Sequence, residues 1–140
     1  MEAALVMHRR SIGAREDDLL AAVDHATDGE GALSDFHVSD VERLPLKRLY
    51  EFDDIGAWAE WAPGELKAMR ARERHEALVH YRGEDFAVLA ETWTEKTVPP
   101  VAIVIFPPDS DLASGVGDGR GRISVAIGMG WKTMPVVFLT

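Results

Sequence analysis

Six consecutive apolar residues, Val101, Ala102, Ile103, Val104, Ile105 and Phe106, stand between the pairs Pro99-Pro100 and Pro107-Pro108. Proline gives no N–H to a ladder and biases the preceding residue toward extended backbone, so the run is closed at both ends. It is short for a helix, and its β-branched residues favour burial on two faces, which predicts an interior strand.

Upstream, the apolar positions fall at helical spacing. Leu19, Ala22, Val23 and Ala26 lie on one face, with Glu16, Asp17 and Asp18 in a first turn where the helix dipole favours negative charge, so residues 14–27 read as a helix. Asp28-Gly29-Glu30-Gly31 stops it, and residues 3–7 could form a short first strand. Ser39 and Glu42 have the spacing of a capping box, Pro45 interrupts the helix they would start, and residues 46–50 resume it. Asp53-Asp54 could then cap an element with Trp58, Trp61 and Ala62 on one face. Residues 63–75 read as one further helix, with Leu66 and Met69 inward and Lys67, Arg70 and Arg74 outward.

Beyond residue 75 the pattern turns to strands. Residues 76–82 and 85–93 flank Gly83-Glu84, a pair suited to a type II′ turn, and the implied hairpin sets Arg82 against Asp85 and Val79 against Val88. Residues 109–122, with Gly115, Gly117, Gly119 and Gly121, read as a mobile connection. Residues 123–127 and 134–139 read as a final hairpin, with Pro135 placing the start of the last strand at an edge or leaving it unpaired on one side. The expectation is one α+β domain over residues 1–140. Its acidic helical part, 1–75, would cover a mainly antiparallel sheet of about five strands in the β-rich part, 76–140.

Charge changes this picture more than length does. The net charge is −9, and residues 1–97 carry 21 acidic against 12 basic side chains while residues 98–140 carry three of each. Such a surface repels phosphate backbones and anionic membranes and favours a cationic partner. The chain has no cysteine, which excludes disulfides, thiolate metal sites and thiol nucleophiles. Glu2 precedes the first apolar residues and His8-Arg9-Arg10 follows them, the reverse of a signal peptide, so a cytoplasmic location is expected.

Three clusters are candidates for chemistry. Asp53, Asp54, Trp58, Glu60 and Trp61 combine aromatic area with carboxylates, which suits docking of a basic protein if the rings are exposed, and core closure if they are not. The glycine-rich loop with Arg120, Arg122 and Lys132 could cradle an anion. Phosphate loops, however, run from a strand into a helix, whereas this one leads to residues 123–127, read as a strand, and lacks a Gly-Lys-Ser/Thr ending. His80 and Glu91 are the candidates for acid–base work, set near each other across the expected hairpin, with a structural histidine as the ordinary alternative. His75 and His80 are five apart, which is wrong for a zincin helix, and no Gly-X-Ser-X-Gly occurs. No metal or cofactor is implied.

No motif assigns an enzymatic activity. The reading is a small acidic intracellular protein that binds a basic protein partner, in the logic of antitoxins and immunity proteins. The alternatives are a small-ligand binder or enzyme with a pocket between sheet and helices, and a homo-oligomer subunit joined through a sheet edge.

Overall fold

The computed structural model describes residues 16–140, so the expected strand over residues 3–7 lies outside the described residues. The proline-bounded run forms β2, Val101–Val104, whose four residues are all buried. Withdrawing each of its valines and its isoleucine from water contributes about 1.5–3 kcal/mol. Val101 and Ile103 point to one side of the sheet, Ala102 and Val104 to the other, and each side is covered.

Around β2 the sheet runs β1 (Glu42–Pro45), β4 (Thr133–Leu139), β2, β3 (Gly115–Asp118). β4 lies parallel to β2, with Val101 opposite Val136 and Val104 opposite Leu139. β1 is antiparallel to β4, and β3 is antiparallel to β2. The α+β class therefore holds, with four strands and seven α-helices among the described residues. The sheet is mixed where a mainly antiparallel one of about five strands is expected.

Helix α1, Glu16–Ala26, covers one face of the sheet, packing Leu19, Ala22 and Val23 on Ala102, Val104, Val137 and Leu139. The other face is covered by the short helices α2 (Leu46–Leu49) and α3 (Ile55–Trp58) and by α7 (Arg120–Gly128), which bring Leu46, Leu49, Ile55, Ile123, Ala126 and Ile127 onto Val101, Ile103 and Val136. Beyond α7 lies a further layer built from α4 (Glu65–Ala68), α5 (Ala71–Arg82) and α6 (Glu84–Thr92). In that layer Trp61, Leu66, Leu78, Ala87 and Ala90 surround Val125 of α7.

This outer layer overturns several local expectations. The hairpin over residues 76–93 is two helices, α5 and α6, joined at Gly83. Short apolar runs fit strand and helix alike, and here Leu78, Ala87 and Ala90 turn onto α7 while Val88 and Leu89 face water. Gly83 sits at φ 93°, a conformation that closes one helix and starts the next at no steric cost only for glycine. The single helix expected over residues 63–75 is broken at Met69 and Arg70, both extended, and Arg74 turns inward to donate to the carbonyls of Leu66, Lys67 and Met69. Those bonds bring side-chain donors to carbonyls at and just past the end of α4, where a helix has more acceptors than N–H groups.

Residues 123–127 are helical as well. α7 is buried from Gly121 to Gly128 because the sheet lies on one side of it and the α5–α6 layer on the other, so no polar stripe marks it as a helix. It connects β3 to β4 in place of the expected hairpin, and this makes β4 parallel to β2. Ser39 caps no helix. Its N–H donates to the Phe138 carbonyl and its hydroxyl accepts the Phe138 N–H, extending the pairing along β4. Pro135 pairs opposite Arg43 of β1 at a point before β2 joins the other side of the strand.

Candidate functional site

The glycine-rich segment is where the sheet meets its buried helix. Gly115–Asp118 pairs with β2 as β3, Gly119 turns the chain at φ 106°, and α7 starts at Arg120. A Cβ on Gly119 would collide with the side chain of Val101, so the corner requires glycine for both its backbone conformation and the close approach to β2. Gly119 offers no side chain to cap the helix. The strand-to-helix context that a strand over residues 123–127 would deny is thus present, since those residues continue α7.

Two arginines occupy the first turn of α7 with different roles. Arg122 is 7% exposed, donates to the Pro100 carbonyl at 2.9 Å, and pairs with Asp118 and, at 3.7 Å, with Asp18 of α1. It ties the helix, β3, α1 and the proline pair before β2 together. Arg120 keeps 42% of its side chain exposed, stands 3.7 Å from the Asp53 carboxylate, and lies over the Trp58 ring at 5.0 Å from its centroid. Its Nε is buried and has no hydrogen-bond partner.

Cavities open on both sides of Arg120. One of about 220 Å³ is lined by Arg82 and Arg120, by Arg122 with its partners Asp18 and Asp118, by Gly119 and Gly121, and by an apolar wall of Phe86, Leu89, Trp93 and Pro99. The guanidinium of Arg82 lies over the rings of Tyr81 and Phe86. The other cavity, about 390 Å³, carries His25, Asp28, Asp53, Asp111 and Ser114 around the other side of Arg120. The first brings arginines, the start of a buried helix and aromatic surface together, with Asp18 and Asp118 turned to Arg122. The second is acidic.

The remaining candidates are scattered. Lys132 is exposed beyond the far end of α7, about 13 Å of helix away from Arg120 and Arg122. Trp61 is buried against Tyr81 and Leu66, and Trp58 is half-buried beneath Arg120. Asp53 turns inward, accepting the Val116 N–H at 2.8 Å and the Asp54 N–H at 2.7 Å, so Asp54 and Glu60 are the exposed members of that group.

His80 is exposed on α5, and the imidazole that meets carboxylates is His75. Its Nδ1 contacts Glu91 and its Nε2 lies 3.1 Å from Glu84. The hydrogen bond to Glu91, with the charge of Glu84 behind it, raises the His75 pKa above 6.5 against the opposing effect of burial. Glu84 and Glu91 stand seven apart, two turns on one helix face, a spacing visible in the sequence once residues 84–92 are taken as helical. Arg82 is the other residue the sequence pattern concealed, since a strand reading spends it on a turn pair with Asp85.

Among the described residues, no helix is long and apolar enough to cross a membrane and no group of three His, Cys, Asp or Glu could hold a metal ion. No family model matches the chain, and neither a curated protein nor a solved structure matches it.

Proposed function

We propose that the protein binds a small anionic ligand of the phosphate-ester class at the β3–α7 corner, with its organic part against Phe86 and Trp93. The observation that carries this reading is Arg120, whose buried Nε lacks an acceptor where two cavities meet the start of α7. A desolvated donor without a partner costs about 1–3 kcal/mol, and an anion seated there recovers that cost. Arg82 adds a second cation to the same cavity, and the N–H groups of the first turn of α7 add donors. The role is binding.

The test is a titration of tryptophan fluorescence and of binding heat with inorganic phosphate, pyrophosphate and a nucleoside triphosphate. Saturable binding that weakens at least tenfold in Arg120→Ala and Arg82→Ala supports the site, with the organic ester tightest. No binding by any of the three at low salt, or binding as tight in the two variants as in the parent, overturns it.

The acidic docking face for a basic protein remains a second proposal, favoured by the excess of acidic side chains in residues 1–97. It draws less support from the geometry. Trp61 is buried and Asp53 is engaged by backbone N–H groups, which leaves half-buried Trp58 with Asp54 and Glu60 to form such a face.

A further inference from the structure

We propose that the α5–α6 hairpin is a proton-operated clamp, in which doubly protonated His75 holds both ends of α6 through Glu84 and Glu91 and releases one of them on losing a proton. Both imidazole nitrogens face carboxylate oxygens. A neutral imidazole has one N–H and one lone pair, so it can donate to one carboxylate while its other nitrogen turns a lone pair on the second. Only the imidazolium satisfies both.

What makes the contact matter is how lightly α6 is held otherwise. Its buried residues are Ala87 and Ala90, small side chains that withdraw little apolar area, while Val88 and Leu89 are more than half exposed. Glu84 is the first residue of α6 and Glu91 the last but one, so the ring grips the helix across two turns. Between those grips lies Phe86, and just past them Trp93, both half-buried against the outer face of α7.

Several charges on the neighbouring elements have partners of their own. On α5, Arg72 pairs with Glu76, and Arg74 donates to the α4 carbonyls. On α4, Glu65 accepts the Ala62 N–H, and on α7, Arg120 and Arg122 turn toward Asp53, Asp18 and Asp118. Glu84 and Glu91 are the groups whose charge and hydrogen bonds act on His75.

The experiment follows the His75 ring by NMR across a pH series, with hydrogen exchange of the α6 amides corrected for the intrinsic rate at each pH. The expected result is a His75 midpoint above 6.5 and a several-fold rise in α6 exchange at that same midpoint. His75→Gln should abolish the step, and Glu84→Gln and Glu91→Gln should each move it to lower pH. A midpoint at or below 6.5, or α6 exchange without a step where His75 titrates, overturns the clamp. Neither measurement needs a ligand, so failure of the anion site leaves this test intact.

Discussion

Asp53 Oδ2 accepts the backbone N–H of Val116 at 2.8 Å, so a loop residue after α2 holds the outer strand of the sheet from 63 positions away in the chain. The same oxygen is the one nearest Arg120. Asp53 thus positions β3 and occupies the cation of the corner at once.

Replacing Asp53 separates those roles. Asp53→Ala leaves the Val116 N–H without its acceptor and should lower unfolding free energy by about 1–3 kcal/mol, measured by urea denaturation. Asp53→Asn keeps one acceptor oxygen and should lose less. With the competing carboxylate gone, Asp53→Asn should also bind pyrophosphate more tightly than the parent, and weaker binding would contradict the placement of Arg120 in the anion site.

Gly119 has room for no side chain. Gly119→Ala combines an unfavourable positive φ with a clash against Val101, and a loss of about 2–4 kcal/mol is expected. Denaturation of the variant beside the parent checks it, and an unchanged midpoint would mean that the corner differs from the one described.

Arg122 carries the larger structural burden of the two corner arginines. Arg122→Met withdraws the guanidinium from Asp18, Asp118 and the Pro100 carbonyl in a buried setting, which should cost about 3–5 kcal/mol. Arg122→Lys should recover only part, because a point charge cannot span the same partners as a planar fork. Arg120→Ala, on the exposed side, should change stability far less than Arg122→Met. The thermal midpoints of the three variants test that ranking.

Glu95 gives stability a dependence on acid. Its carboxylate accepts the hydroxyl of Thr133 at 2.8 Å and the Thr133 N–H at 3.2 Å, and the hydroxyl bond is the main cause that holds its pKa below 4.5. A depressed folded pKa contributes stability that is present above the unfolded value and lost as pH falls through the folded one. Thermal midpoints of Glu95→Gln should therefore fall less steeply than the parent's below pH 4.5. Parallel curves would show that the carboxylate is not held by Thr133 in solution.

Much of the architecture was readable in local pattern. The proline pairs marked β2, and the three- and four-residue spacing of Leu19, Ala22 and Val23 marked α1 and its inward face. Arg120 and Arg122 were visible as an anion-site candidate, set aside because residues 123–127 suit a strand and no Gly-Lys-Ser/Thr ending follows. Burial on both sides hid the helical period of α7. A helix covered all round, such as α7, has no polar stripe, and a run of Ile, Ser, Val, Ala and Ile then suits either period.

Residue order alone determined the backbone constraints: where prolines end a strand, where Gly83 and Gly119 allow a turn, and which faces must leave water. Those are properties of single residues and near neighbours, and they persist whatever the chain packs against. Tertiary packing decided the rest. Placing α7 between the sheet and the α5–α6 layer made residues 71–92 helical, turned β4 parallel to β2, and set Arg82, Arg120 and Phe86 around one cavity. No local signal encodes that juxtaposition, because its stabilisation comes from apolar area buried between segments distant in the chain.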